Sequence, residues 1–233
     1  MVSPKPLRAV VDDLFRDWLV EHPRDSYELL VAHTHGHGDH VAGDVLFAAR
    51  PATSVVGRGL DSVHEAFGFE DWPEKSATLD LGGRELLLIP SPGHHEAAMS
   101  IYDPWTGILL TGDTVYPGRL YVPDMPAFVT TMNRLAELST RVTVTHVLGC
   151  HIEMSRTPGS DYPLGAQSHP DEQALQMTLA RLLAVRDAAV ACAGEPGVHR
   201  FDDTIIYNGN REQDLQDLML RSAPVVEEVT TRL

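Results

Sequence analysis

The sequence predicts a mixed α/β fold that forms a single domain. Helical and strand patterns alternate along the chain, an arrangement in which helices cover the faces of a sheet. The 233 residues suit one large domain, spanning 1–233, better than two. With 43% hydrophobic residues but only 6% aromatic ones, the core is expected to consist mainly of aliphatic side chains.

The first third of the chain predicts one long helix followed by short elements. Between 7 and 19, apolar residues recur every three or four positions opposite a charged face, which is typical of an amphipathic helix. Shorter patterns then predict strands at 27–32 and 53–56 and helices at 41–50 and 61–67.

The remainder begins with a predicted hairpin and ends with helices. The segments 78–81 and 84–89 flank the pair Gly82-Gly83, which is typical of a β-hairpin. Further strands are predicted at 99–102, 108–111, 144–148 and 201–206. Helices are predicted at 128–138, 170–192 and 213–220. The start of the helix 170–192 is placed at Pro170, because a proline followed by two acidic residues is typical of a helix start. The segment 154–169 is rich in proline and glycine and is predicted as a long loop, a type that often carries function.

Charge and cysteine content exclude several classes of protein. The net charge of −15 disfavours binding to nucleic acid or to anionic membranes. Two cysteines are too few for a disulfide framework. Because the first residues are charged and no run of about 18 apolar residues occurs, we expect a cytoplasmic protein.

One segment carries most of the chemical information. Residues 33–40 read HTHGHGDH, which places four histidines and one aspartate directly after a predicted buried strand. Imidazole and carboxylate groups are ligands that suit zinc and its neighbours in the first transition row. Five such groups in eight residues predict a metal site.

Three later positions show the same pattern of a ligand at the end of a strand. His94 ends the turn Pro92-Gly93-His94, Asp113 ends Thr111-Gly112-Asp113, and His151 follows the predicted strand 144–148. Because α/β proteins usually build their sites at strand ends, we expect these groups to converge with the histidine-rich segment.

These motifs, in this order from about Glu28 to His151, resemble those of the metallo-β-lactamase superfamily. The resemblance implies a four-layer αββα sandwich with the metals at one edge of two sheets. It implies that His35, His37 and His94 hold a first metal, that Asp39, His40 and His151 hold a second, and that Asp113 bridges both. Only one helix and one strand precede the motif here, so we expect a first sheet with fewer strands than usual and a chain that is short at its N-terminus.

The resemblance also implies a mechanism. Two zinc ions, with iron or manganese as alternatives, would share a hydroxide that attacks a carbonyl carbon. Asp39 and Asp113 would orient this hydroxide as well as bind metal. No serine or cysteine nucleophile is required, and we expect Cys150 to be a small buried residue.

Departures from individual branches narrow the expected activity. Asp113 occupies the bridging position, where the β-lactamase branches generally lack an aspartate, and Gly36 replaces a glutamate of the flavodiiron branch. The remaining pattern is similar to hydroxyacylglutathione hydrolases, lactonases and persulfide dioxygenases. We therefore expect hydrolysis of a small ester, thioester or lactone. An iron-dependent sulfur dioxygenase and a metal-binding protein without turnover are the alternatives.

Two expectations concern recognition and assembly. Substrate contacts are expected from the loops 114–128 and 154–169, through the side chains of Tyr116, Arg119, Tyr121, Arg156 and Tyr162. His33 and His95 flank ligands and are expected to support the site or to face solvent. A homodimer is expected, in which an exposed sheet edge or the first helix contributes to the interface.

Overall fold

The computed structural model describes residues 7–221, which form six helices and eleven strands. The helices are α1 (Leu7–Glu21), α2 (Gly38–Val41), α3 (Leu60–Phe67), α4 (Met125–Ser139), α5 (Leu179–Cys192) and α6 (Glu212–Leu220). The first strands are β1 (Leu29–Val31), β2 (Thr53–Val55), β3 (Ala77–Asp80), β4 (Glu85–Pro90), β5 (Met99–Asp103) and β6 (Ile108–Gly112). The others are β7 (Arg119–Val122), β8 (His146–Gly149), β9 (Gln176–Met177), β10 (Gly197–Arg200) and β11 (Ile205–Asn208).

The largest sheet has six strands in the order β3-β4-β5-β6-β8-β9. Strands β3 to β6 form an antiparallel meander, and β8 then pairs with β6 in parallel. As a result β4, β6 and β8 run in one direction, so their carboxyl ends lie at the same edge of the sheet. This edge positions the candidate site.

Both faces of the six-stranded sheet are covered. On one face, Ile89 and Leu109 belong to a hydrophobic core that contains Phe128 and Leu135 of α4 and side chains of α5. On the other face, a smaller core joins β4 and β5 to α3. Adjacent residues on a strand point to opposite faces, which explains why Leu88 and Ile89 belong to different cores.

Two smaller sheets complete the fold. The sheet β10-β11-β7 packs against α6 through a third core that contains Tyr207 and Leu218. Strands β1 and β2 form a two-stranded parallel sheet. The prediction of a mixed α/β fold with a first sheet of few strands is thus confirmed.

Three predicted helices differ from the observed elements. The segment 41–50 contains only the end of α2 and a 3-10 turn at Asp44–Leu46. Helix α5 begins at Leu179 rather than near Pro170, because the Thr178 side chain caps it by accepting a hydrogen bond from the Arg181 backbone N–H. Helix α4 begins earlier than predicted, since Asp124 caps it in the same way through Ala127.

The predicted strand 201–206 is wrong in its extent. Two strands, β10 and β11, form a hairpin there, and their register pairs Arg200 with Ile205. Residues 201–204 form the turn, closed by a hydrogen bond of 2.8 Å from the Phe201 N–H to the Thr204 carbonyl. The hairpin 78–89 and the loop 154–169 are confirmed as predicted.

Helix α1 lies at the surface with none of its residues buried. Its apolar residues Leu14 and Trp18 are 65% and 41% exposed. The expected homodimer stays a prediction. Among residues 7–221, no helix combines the length and apolar character needed to cross a bilayer.

Candidate metal centre

Four chain segments meet at the edge where β4, β6 and β8 end. The histidine-rich segment follows β1, His94 follows β4, Asp113 follows β6 and His151 follows β8. A backbone hydrogen bond of 2.8 Å, from Met99 N–H to the Thr34 carbonyl, ties the histidine-rich segment to the start of β5. The structure therefore brings together all seven residues that the sequence predicted as ligands.

Gly112 allows the histidine-rich segment to approach β6. Its φ of +54° lies in the left-handed region, and an added Cβ would lie 2.6 Å from the Thr34 side chain. Any other residue would therefore meet both backbone strain and a steric clash. The next residue is Asp113, so this close approach sets its carboxylate beside the histidines.

The first group of candidate ligands is His35, His37 and His94. His37 Nδ1 lies 3.0 Å from His35 Nε2 and 2.9 Å from His94 Nε2. His94 Nδ1 donates a hydrogen bond of 2.7 Å to the Tyr121 carbonyl, which leaves its Nε2 lone pair free to bind a metal. Three imidazole nitrogens thus converge on one point.

The second group is Asp39, His40 and His151. The candidate ligand atoms of these three residues lie within 4.8 Å of one another. Asp39 Oδ2 lies 3.5 Å from His40 Nε2 and 3.4 Å from His151 Nε2. His40 Nε2 is buried and makes no hydrogen bond with the described residues. A buried nitrogen without a partner is costly, and a cation bound at this point would satisfy it.

Asp113 lies between the two groups. Its Oδ2 atom is 3.7 Å from His35 Nε2 and 3.5 Å from His94 Nε2, and 3.3 Å from His40 Nε2. Its Oδ1 atom is 3.3 Å from His151 Nε2. One carboxylate therefore faces both groups, and the residues fit a pair of metal ions.

Burial keeps His35 and His94 of the first group neutral. It lowers the pKa of His35 to about 3, with a further contribution from the neighbouring His40. It also lowers the pKa of His94, an effect that the hydrogen bond to the Tyr121 carbonyl opposes. Neutral imidazole is the form that binds metal, so both side chains are ready to act as ligands at neutral pH.

The carboxylate of Asp113 remains ionised in spite of its burial. Burial alone would raise its pKa, but the imidazole of His151, whose Nε2 lies 3.3 Å from Oδ1, and the nearby His40 and His35 outweigh it and bring the pKa to about 2. In turn, the hydrogen bond to Asp113 raises the pKa of His151. These mutual shifts are those of a carboxylate placed among cationic or metal-binding groups.

Three residues next to the candidate ligands, His33, His95 and Cys150, are not among them. His33 Nε2 lies 2.7 Å from Asp44 Oδ1 and anchors the start of the histidine-rich segment. His95 Nδ1 accepts a hydrogen bond of 3.1 Å from the Ala97 N–H. The prediction that Cys150 is buried is wrong, since this residue is exposed. Strand β8 ends at Gly149, and the chain reaches the surface at the next residue.

Arg119 and Tyr121, expected from the sequence to contact substrate, are hydrogen-bonded to each other, and Arg119 is buried. Arg119 is only 3% exposed and donates to Glu153 Oε1 at 2.6 Å, to Asp161 Oδ2 at 2.9 Å and to the Tyr162 carbonyl at 2.7 Å. Tyr121 uses its hydroxyl to accept a hydrogen bond of 3.2 Å from Arg119. The guanidinium therefore clamps the chain that follows His151 onto β7.

Sequence reasoning missed Glu153 and Asp161, the acidic partners in this network. Asp161 also accepts hydrogen bonds from Arg200 and Arg221, at 2.9 and 3.1 Å. Burial would raise the pKa of Asp161, but the three arginines lower it to about 2. The partners are separated by 34 to 60 residues along the chain, so no local motif marks them.

Comparison with known families agrees with this geometry. The family model of the metallo-β-lactamase superfamily matches residues 30–195. The chain belongs to this superfamily. The matched region includes all seven candidate ligands and every strand of the six-stranded sheet.

Curated relatives include several hydrolases. A hydroxyacylglutathione hydrolase of Rhodobacter capsulatus is 30% identical over 146 residues, which cover 60% of this chain and 53% of that protein. One from Mesorhizobium japonicum is 26% identical over 118 residues, covering 49% of this chain and 46% of the relative. An acyl-coenzyme A thioesterase of Gallus gallus is 32% identical over 85 residues, 35% of this chain and 31% of the relative. The chain spans about half the length of the curated relatives it matches first.

Solved structures of similar fold include a metallo-β-lactamase from Pontibacter korlensis. Its sequence is 15% identical to this chain, the alignment covers 76% of each chain, and the TM-score is 0.46.

Proposed function

We propose that the chain is a two-metal hydrolase that cleaves a small carboxylic ester, thioester or lactone. The observation that carries this proposal is the position of Asp113, whose carboxylate lies between the two groups. Its Oδ2 atom is close to His35 and His94 of the first group and to His40 of the second, and its Oδ1 atom is close to His151 of the second. A carboxylate between two groups of ligands can bind two metal ions at once, whereas a single-metal site does not use that position. Membership of a superfamily with hydrolase relatives supports the same reading.

We assign His35, His37 and His94 to a first metal, Asp39, His40 and His151 to a second, and Asp113 to both. Zinc is the proposed metal, since nitrogen and oxygen ligands without thiolate suit it, with iron or manganese as alternatives. Two such ions, when bound, lower the pKa of water and polarise a carbonyl oxygen. The catalytic roles of Asp39 and Asp113 are to bind and to orient the attacking water through their carboxylate oxygens.

The side chains around the centre favour water as the nucleophile. Although part of Cys150 is exposed, the surrounding protein desolvates its thiol, and this effect, together with the charge of Asp113, raises the pKa of the thiol to about 11. The thiol therefore stays protonated and weakly nucleophilic at neutral pH. Tyr116 stacks edge-on against His151 at 5.3 Å, and its hydroxyl is engaged by the Arg119 carbonyl. Direct attack by water is therefore the step that these residues support.

The test is a panel of aryl esters, thioesters, lactones and phosphodiesters, assayed with wild type and Asp113→Asn. The substitution keeps the size of the side chain but removes its negative charge. We expect turnover of at least one carboxylic ester, thioester or lactone, and a loss of about a hundredfold or more in the variant. Asp80→Asn, in the exposed hairpin turn, is the matched control and should retain activity.

Two outcomes would contradict the proposal. One is a chain with two bound metals that turns over nothing in the panel, as expected of a metal-binding protein without catalysis. The other is oxidation of a glutathione persulfide to sulfite without any hydrolysis, as expected of a sulfur dioxygenase.

A further inference from the structure

A pocket of about 430 Å³ lies on the outer side of the turn that carries His94. It is formed between α3, the segment 72–73, the turn 92–96 and the start of α4. The pocket adjoins the candidate metal centre, because the candidate ligand His94 lines it and the ring of His95, another lining residue, lies 5.0 Å from that of His37. A pocket of this volume can hold part of a small ligand.

The wall shared with the metal centre is held in place by α4. The Asp124 N–H donates to the Gly93 carbonyl at 3.2 Å, and the Thr131 hydroxyl donates to the Pro92 carbonyl at 2.7 Å. Gly93 lies so close to α4 that an added Cβ would be 2.6 Å from the Phe128 Cα. The pocket is therefore formed before any ligand binds, which reduces the entropic cost of binding.

The opposite wall is fixed to the same helix. Trp72 packs edge-on against Phe69 at 4.9 Å, as part of the core under α3. Arg134 of α4 lies 3.9 Å from the Glu74 carboxylate and donates to the Pro90 carbonyl at 2.9 Å. Arg134 therefore contacts segments on both sides of the pocket.

The lining combines apolar residues with two acidic ones. Its apolar side chains include Leu60, Trp72, Pro73, Pro123 and Ala127. The charged side chains that line the pocket, Glu96 and Asp124, are both acidic, and none of the described lining residues is lysine or arginine. The guanidinium of Arg134, in the adjoining helix, is engaged by other groups. Such a lining accepts an uncharged chain and repels an anion.

We propose that this pocket binds the uncharged, apolar acyl chain of the substrate while the scissile carbonyl lies at the metal centre. The inference rests on the proposed hydrolase function and specifies its substrate class. It identifies Leu60, Trp72 and Ala127 as residues that determine specificity. It predicts discrimination against acyl chains that end in a carboxylate.

The first experiment measures kcat/KM for p-nitrophenyl acetate, butyrate, hexanoate and octanoate. Wild type should gain about fourfold for each added methylene up to hexanoate, the gain expected for transfer of a methylene from water into an apolar site. An acyl chain of the same length that ends in a carboxylate should be at least tenfold poorer. Ala127→Phe narrows the pocket and should lower the octanoate-to-acetate ratio at least tenfold, whereas Thr130→Phe, exposed on the same helix, should preserve the ratio.

The second experiment measures binding without turnover. Titration of the metal-loaded protein with octanamide should change the tryptophan fluorescence with saturation, and Trp72→Phe should abolish the change although Trp18 and Trp105 remain. The monoamide of octanedioic acid, which has a similar chain that ends in a carboxylate, should bind at least tenfold more weakly.

The two experiments separate failure of this inference from failure of the proposed function. If no ester, thioester or lactone is cleaved, the hydrolase proposal fails, and the octanamide titration still decides whether the pocket binds an apolar chain. If esters are cleaved but Ala127→Phe leaves the chain-length ratio unchanged, or octanamide gives no saturable signal, the pocket is not the acyl site.

Discussion

Arg119 lies beneath the chain that presents His151, and its removal should affect both stability and metal binding. The Arg119 side chain is 3% exposed and that of Asp161 is 4% exposed. Arg119→Met keeps the aliphatic stem of the side chain but leaves the Glu153 and Asp161 carboxylates without their shared partner. Removing one member of a buried ion pair costs about 3–5 kcal/mol. In a chain of this size that loss lowers Tm by on the order of 10 °C.

The effect should extend to the second metal. Glu153 accepts hydrogen bonds from both the guanidinium and the backbone N–H of Arg119, at 2.6 and 2.8 Å, and it lies two residues after His151. When the clamp is removed, His151 is no longer held in place. We therefore expect the metal content to fall from two ions per chain towards one, with the first group of ligands retained.

Thermal unfolding and elemental analysis of the purified variants provide the assay, and Arg200→Met is the matched control. Arg200 also donates to Asp161, at 2.9 Å, but its side chain is 41% exposed. An exposed pair contributes only about 0–1 kcal/mol, so this variant should resemble wild type. Equal changes in Tm for the two variants would show that the burial of Arg119 does not make its ion pairs more stabilising than those of the exposed Arg200. A large loss of Tm with two metals retained would show that the clamp does not position His151.

Two further predictions concern the first group of ligands. In Gly93→Ala the added Cβ would lie 2.6 Å from the Phe128 backbone. We therefore expect this variant to lose metal binding at His94 or to fail to fold, as measured by metal content and circular dichroism. A variant with normal metal content would contradict the predicted clash. Because the folded-state pKa of His35 is lowered to about 3, protonation favours the unfolded chain as the pH falls below about 6.5. In urea unfolding of the metal-free protein, the contribution of His35 to the free energy of unfolding should therefore fall by about 2 kcal/mol from pH 7 to pH 5. It is measured as the difference between the pH dependence of wild type and that of His35→Gln.

The placement of the candidate ligands could be predicted because each one follows a strand. The strands were recognisable as short apolar segments, and the shared direction of β4, β6 and β8 then brings their carboxyl ends to one edge. Local sequence therefore carried the necessary information. The same reasoning predicted the hairpin at Gly82-Gly83, where both glycines have positive φ.

Features that depend on contacts between distant segments could not be predicted in this way. Arg119 was expected in a recognition loop, and only tertiary structure shows that it is buried against Glu153 and Asp161. The start of α5 was placed too early for a similar reason. Residues near Pro170 are typical of a helix start, but backbone hydrogen bonds from Arg156 to Asp171 and from Gln173 to Met154 hold this segment in a non-helical conformation.

The number of metal ions bound per chain tests the proposal that two ions share Asp113. The protein should be stripped, reloaded with zinc, freed of excess metal and assayed by elemental analysis together with His37→Ala and His151→Ala. We predict two ions per chain in wild type and one in each variant, since each substitution removes a ligand from one group only. One ion or none in wild type, with no further uptake when zinc is added, would contradict the account.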